Sequence, residues 1–579
     1  MEKRAILAIL LTFIIITGWM LIQSKFYPPP PATRQPQGAK KEEVPAQSAE
    51  KKTEAGEPKL LREGKTPARR KVVPQKEVTV ETKNYWAVFT SDDARLKHFK
   101  LKKYEDRVQQ SAITIKLTQL VDEILGKKPE EPRNPEPLDL VNTTEEKDLP
   151  LGLTFDGSNL PADENWEVDK GQLQLLQNSE KGEITFSKSL ENGVTVLKRF
   201  KCSADLYTIQ IEVEVQNGSS KAVTNQVGLE WIGKIELAKL AKEGDKDYGL
   251  RYTFLRDQKV EKKEFGRTRG SGCVPSCGSQ KTTVEPFETE EKGDIKWFSF
   301  GGEYFTALVV PPASKEITLA VKGSEKDLLT ADVMTPSVTV PPQGQVNATY
   351  QIFLGPKDEN RLRALGAGAE KLVDYGIFTV IAKPMLWFIR LTHTVTGNYG
   401  IDIIIISILI KIIFLPLTQM SMKSMKEMQK VQPEMNRLKE QYKDDKTRLQ
   451  QEIMLLYKRR KINPLSGCLP MLIQIPVFIA LYNALQNGIE MRHAAFFLWV
   501  VDLSAKDPIY ITPIIMGATM FIQQRMTPSA ADPAQAKMFL LMPVMFTFLF
   551  LNFPSGLVLY WLVNNVLSIA HQYYLNKNT

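Results

Sequence analysis

The chain has 579 residues, 43% hydrophobic and 24% charged, with a formal net charge of +9. That length accommodates several domains, at about 100–200 residues each. Its four cysteines, Cys202, Cys273, Cys277 and Cys468, are too few for a disulfide scaffold and contain no CxxC pair, which argues against zinc. The basic excess sits beside apolar segments rather than over one broad face, which argues against sequence-specific nucleic-acid binding.

Residues Ala5–Ile22 are uncharged and follow Lys3 and Arg4. A cleaved signal usually has an apolar region of about 7–15 residues ending in small ones. This stretch instead continues through Trp19, Gln23 and Phe26, so residues 1–27 are predicted to be a retained N-terminal membrane anchor that starts in the cytoplasm. Residues 28–83 contain no aromatic side chain and abound in Pro, Lys, Glu and Ala. They cannot bury enough apolar surface to offset chain entropy and are predicted to be a disordered tether.

Over residues 84–355 the pattern becomes short alternating runs such as TIQIEVEVQN, GEITFSKS and TALVV, bounded by Asn, Gly and Pro. Period-2 alternation with β-branched residues predicts antiparallel strands forming a β-sandwich, on the outer side of the membrane. Cys273 and Cys277 lie there in GSGCVPSCGS, and whether they pair stays open. In residues 356–398, RLRALGAGAEKLVD (361–374) reads as a helix. The following segment, with Lys383, Pro384 and Arg390 among aromatics, reads as an interfacial amphipathic helix.

Residues 399–579 are predicted to be a five-span helical core, with spans near 400–418, 467–486, 509–524, 538–553 and 555–574. With the anchor this makes six transmembrane helices and places both termini in the cytoplasm. The loop over 419–464 carries twelve Lys/Arg against six Asp/Glu, the bias of a cytoplasmic segment. It reads as a helical hairpin: Pro433 is expected near a helix start or at a kink, and Asp445 is expected to cap the second helix. Met435, Leu438 and Tyr442 would face Leu449, Ile453 and Leu456. The hairpin is either an ordinary helix pair with a solvated basic side or a landing site for an acidic or ribosomal partner.

Lys411 interrupts the apolar run DIIIISILIKIIFLPLTQM. It lies ten residues after Ile401, about 15 Å along a helix and near the middle of a roughly 30 Å hydrocarbon core. A central lysine costs about 2.5–3.5 kcal/mol on insertion scales. The other four spans contain no Asp or Glu, and Asp402 lies about 13 Å back along the axis. The ammonium is therefore expected to use hydroxyls, carbonyls or water, with Ser407 one turn away and Gln474, Asn483, Gln523, Gln524, Asn564 and Asn565 on other helices. One reading is a hydrated pocket that receives an anionic group; another is a lysine snorkelling to the inner interface past Pro416 and Thr418; a third is an ion relay.

The stretches YGIDIIIISILIKIIFLPLTQMSMKSM, NPLSGCLPMLIQIPVFIALYNAL, LWVVDLSAKDPIYITPIIMGATMF and FPSGLVLYWLVNN, in this order, resemble the YidC/Oxa/Alb family of membrane protein insertases. The resemblance spans the C-terminal third, and the anchor, tether and β region are similar to the Gram-negative form. It implies a protein of the bacterial inner membrane that inserts and helps fold nascent membrane proteins, alone or with the Sec translocon. It also implies a hydrated groove open to the cytoplasm and to lipid. Lys411 falls where the family usually has arginine, so the charge is kept and the planar bidentate fork is lost. Ser407, Gln474, Tyr560 and Trp561 fall at groove positions, and Ile475, Pro476, Phe546 and Phe550 fall on the implied substrate slide. Lys439, Lys443, Lys446, Arg459 and Arg460 of the hairpin are the implied ribosome contact, and membrane lipids are the surrounding partner.

The resemblance implies that the outer domain is a super-β-sandwich similar to sugar mutarotases. Such chemistry wants paired histidines with a carboxylate, and His98 is the one histidine between residues 84 and 355. No GxxxxGK[ST] phosphate loop is present either. The expectation is a protein with no enzymatic activity and no cofactor. A secondary transporter and a membrane-tethered carbohydrate enzyme are the alternatives.

Overall fold

The computed structural model describes residues 74–124, 126, 133–160, 165–190, 192–235, 251–264, 286–324, 327–443, 445–460, 469–526 and 533–577. The N-terminal anchor, most of the tether, and Cys273, Cys277 and Cys468 lie outside these residues.

Among the described residues three large sheets and a two-stranded one, Val223–Asn225 with Val338–Val340, build the region before residue 357. In the nine-stranded sheet the order is Lys259–Glu264, Arg251–Arg256, Ile295–Phe300, Phe305–Val310, Gln345–Pro356, Thr208–Asn217, Val194–Ser203, Lys181–Ser189 and Glu167–Val168. A six-stranded sheet runs Phe287–Gly293, Ile317–Gly323, Leu328–Met334, Val227–Lys234, Leu153–Phe155 and Ser158–Asn159. The alternation predicted from sequence is followed closely. In Val194–Ser203 the buried positions are Val194, Val196, Lys198, Phe200 and Cys202, every second residue. Inward side chains from the sheets, among them Phe89, Phe186, Phe200, Ile211, Leu229 and Val321, share one apolar core.

The first strand lies before residue 84. Glu77–Thr82 pairs antiparallel with Tyr85–Thr90 and parallel with Gln172–Leu175 in a five-stranded sheet. Val78, Val80 and Thr82 are its buried residues. A strand whose inward apolar side chains are two valines, with no aromatic, is invisible to the compositional criterion that set the tether's end. The helix α1 (Ala112–Ile124) also interrupts the strands.

The helix expected over 361–374 is broken. α2 (Glu359–Leu365), capped by Asp358 through Arg361 N, stops at Gly366, Ala367 and Gly368, with φ of 81°, 52° and 71°. Left-handed backbone at three successive residues cannot continue a right-handed helix, and glycine at two of them lowers the cost. A 3₁₀ turn at Ala369–Leu372 follows. α3 (Thr379–Thr396) buries Ala382, Met385, Leu386 and Ile389. Its charges are tied down: Lys383 pairs with Glu359 at 2.9 Å, and Arg390 Nε donates to Glu490 at 2.7 Å.

The remaining helices are α4 (Tyr399–Ile413), α5 (Leu415–Gln441), α6 (Lys446–Arg459), α7 (Leu469–Asn487), α8 (Ile511–Met526), α9 (Pro533–Phe550) and α10 (Ser555–Lys577). Among the described residues no single helix is long and apolar enough to cross a membrane. α4 and α5 together are, but they meet at a 59° bend. The run predicted as one span over 400–418 therefore divides at Phe414. Pro416, in the first turn of α5, cannot donate to the carbonyl four residues back, so α4 cannot extend through it.

α5 and α6 form the predicted hairpin. Asp445 caps α6, accepting from Arg448 N at 2.9 Å, and Val431, Met435 and Leu456 pack with Leu438, Ile453 and Tyr457. Pro433 sits within α5 rather than at its start. Pro433 and Gln429, whose carbonyl has no N–H of residue 433 to accept from, are both exposed.

Candidate functional site

α4 begins at a built cap: the Asn398 side chain accepts from Gly400 N at 2.9 Å and Ile401 N at 3.2 Å. Lys411 stands in its last turn, where the helix's carbonyl end favours a cation. Lys411 Nζ donates to Ser568 Oγ of α10 at 2.6 Å, and Ser568 Oγ donates to Asn564 O at 2.7 Å. Among the described residues no carboxylate pairs with Lys411. Its charge is met by a hydroxyl and left uncompensated.

α10 supplies the wall opposite Lys411. Tyr560, Asn564, Ser568 and His571 recur at intervals of three and four, which places them on one helix face. Tyr560 is fully buried, with the side chains of Gln474 and Asn564 beside its hydroxyl. Asn564 Nδ2 donates to Tyr560 O of its own helix at 2.9 Å. His571 lies close enough to Lys411 for that charge to act on its ring. Ser568 and His571 were missed from sequence. The clue was available, because they continue the polar stripe of Tyr560 and Asn564 toward the chain's end.

Other polar groups named from sequence are engaged elsewhere. Ser407 is fully buried one turn before Lys411, and its hydroxyl donates to Ile403 O at 2.6 Å within α4. Asn483 donates to Tyr375 O at 2.9 Å. Asn565 donates to Thr519 Oγ1 at 3.3 Å; together with Gln572, which was not named from sequence and donates to Met526 O at 2.7 Å, it holds α10 against α8.

Trp561 follows Tyr560 and so points about 100° away. It packs on Phe478, Phe546 and Phe550 at ring separations of 5.1, 6.0 and 5.2 Å. The structure thus groups Trp561 with Phe546 and Phe550, two of the residues that the resemblance implied for the slide. Ile475 is exposed and Pro476 partly buried, within α7. Ile412, Ile413, Ile514, Ile522, Met545 and Phe548 also expose large apolar side chains.

On the hairpin, Lys443, Arg459 and Arg460 are exposed and Lys439 is half-buried. Arg460 pairs with Glu434, and Arg459 reaches Glu452 at 3.7 Å. The Lys446 side chain lies outside the described residues.

A second polar centre was not foreseen. Asp402, fully buried in the first turn of α4, accepts from Thr396 Oγ1 at 2.7 Å and bonds His393 Nδ1 at 2.9 Å, while the His393 ring stacks on Tyr399. Separately, Asp507 accepts from Trp499 Nε1, Ile509 N and Thr512 N and so satisfies an N–H at the start of α8. In the connection between α7 and α8, Arg492 donates to Glu105 O at 2.7 Å and stacks over Phe305, which joins the helical region to the β domain. A cavity of about 470 Å³ opens there beside Tyr104, Glu490 and His493, and burial pushes the His493 ring down to about 4.

Residues 391–579 match the family model described as 60Kd inner membrane protein, and residues 119–388 match the YidC periplasmic domain. The membrane protein insertase YidC of Syntrophus aciditrophicus (strain SB) is 37% identical over 588 residues, covering 100% of both chains. That of Geobacter sp. (strain M21) is 40% identical over 504 residues, covering 87% of this chain and 86% of the relative. A solved structure described as an active YidC insertase with the first transmembrane domain resolved shares 19% identity, over 87% of this chain and 93% of that one, with a TM-score of 0.35.

Proposed function

The chain belongs to the YidC family, and from that premise we propose that it inserts nascent membrane proteins into the bacterial inner membrane and assists their folding there. It is an inner-membrane protein with a β-rich periplasmic domain, of an insertase family that is not enzymatic.

In this reading α4, α7, α8, α9 and α10 are the five core spans, the N-terminal segment is a sixth, and both termini are cytoplasmic. The outward apolar side chains of α4, α8 and α9 support it, since large contiguous apolar surfaces mark lipid or protein contacts. Lys411, Gln474, Tyr560 and Ser568 line a hydrated, positively charged groove, and Ile475, Pro476, Phe546 and Phe550 border the path into lipid. A polar substrate segment that enters the groove crosses a shorter hydrophobic distance, and the Lys411 ammonium attracts its acidic residues. The α5–α6 hairpin, through Lys439, Lys443, Lys446, Arg459 and Arg460, meets the ribosome, and the Sec translocon is the partner for larger substrates.

The observation that carries this reading is the Lys411 ammonium itself, set in an apolar helix end with a hydroxyl for a partner. Its test is insertion into proteoliposomes of single-span substrates with acidic or neutral external tails. Lys411→Glu is expected to reduce acidic-tail insertion at least tenfold more than neutral-tail insertion, because it replaces attraction by repulsion at low dielectric. Equal loss for both tails would refute the electrostatic role.

A further inference from the structure

His571 has no task in the reading above, yet its surroundings make a demand. Both ring nitrogens, Nδ1 and Nε2, are closed off from solvent and have no protein partner among the described residues. An imidazole always presents polar atoms at both positions, and a buried polar atom without a partner is costly. Three residues earlier on the same face, Ser568 holds Lys411 Nζ at 2.6 Å, and the Lys411 charge reaches the His571 ring. Two polar groups from different helices thus meet at one face of α10, and among the described residues one holds only a hydroxyl and the other has no partner.

We infer that His571 is a second substrate-contacting residue, whose ring hydrogen-bonds the carboxylate of an acidic segment in transit while the Lys411 ammonium attracts its charge. The inference rests on the groove reading of Lys411. A carboxylate suits the pair because it has two oxygens and accepts several hydrogen bonds, so one oxygen can face each group. An apolar side chain would leave the imidazole as unpartnered as before, so His571 also discriminates against apolar tails.

The test uses the full chain in proteoliposomes and a substrate carrying Asp, Asn or Leu at one position of its external tail. His571→Phe keeps a ring and removes both nitrogens; His571→Gln restores a donor and an acceptor; Lys411→Ala runs in parallel. His571→Phe is expected to lower Asp-tail insertion about tenfold, the order of one hydrogen bond to a charged group. Leu-tail insertion should change by less than twofold, and His571→Gln should recover most of the loss. Unchanged Asp-tail insertion in His571→Phe, or equal loss for all tails, overturns the inference. If Lys411→Ala lowers Asp-tail insertion and His571→Phe does not, the inference fails and the groove reading stands. If neither does, the groove reading fails as well.

Discussion

Replacing Lys198 with methionine should remove most of the rise in β-domain stability between pH 7 and 9. Lys198 points inward from Val194–Ser203, is fully buried, and donates to Ala94 O at 2.8 Å and to Leu151 O. Burial pushes its amine down to about 7 from the usual 10.5. Between those values the unfolded chain binds a proton that the folded chain does not, so stability rises with pH and is lost as pH falls toward 7. At about 1.36 kcal/mol per unit, the shift is worth roughly 5 kcal/mol over the whole window and roughly 3 kcal/mol between pH 7 and 9. Lys357, pushed down to about 8 by burial, adds roughly 1 kcal/mol above pH 8. Asp332, pushed up to about 7, contributes in the opposite sense below this window. Hydrogen exchange of the full chain in detergent, followed on peptides from Val194–Ser203 and corrected for intrinsic rates, reads the opening free energy directly. The wild type should gain roughly 4 kcal/mol from pH 7 to 9 and Lys198→Met roughly 1 kcal/mol. Parallel slopes in the two proteins would refute the assignment of that proton to Lys198.

Asp402→Ala leaves His393 and Thr396 facing an empty acceptor site and should destabilise the helical region by roughly 3 kcal/mol. Asp402→Asn keeps one oxygen for Thr396 and should cost only about 1 kcal/mol; thermal unfolding of both in one detergent compares them, and equal losses would show that the carboxylate's bonds do not matter. At Gly517 an added Cβ would lie 1.9 Å from Thr547 Oγ1, so Gly517→Ala should destabilise the α8–α9 contact by about 1–3 kcal/mol. Adding Thr547→Ala should recover most of that in the same melts, whereas additive losses would place the cost elsewhere.

Local patterns carried much of this architecture. Alternation marked the strands because each strand buries one face, and Asp445 announced the start of α6 because a helix leaves its first N–H groups unpaired. The same reasoning stopped short where the signal was weak or absent. Glu77–Thr82 is a strand because Tyr85–Thr90 and Gln172–Leu175 flank it, and its six residues alone do not say so. The helix expected across 361–374 looked continuous because alanine, leucine and lysine favour helices, while the three left-handed residues that break it are a property of the folded backbone.

Around Lys411 the division is sharpest. Sequence alone determined that a cation interrupts an apolar helix and that no nearby carboxylate on that helix can reach it, since helical rise converts sequence separation into distance. It could not determine the partner, because Ser568 lies 157 residues away and reaches Lys411 only when α4 packs against α10. Tertiary packing likewise seated Trp561 among Phe478, Phe546 and Phe550, turned Asn565 and Gln572 toward α8, and left His571 without a partner among the described residues near the ammonium. Periodicity assigns a residue to a face of its own helix, whereas the neighbour across that face is chosen by packing of helices distant in sequence.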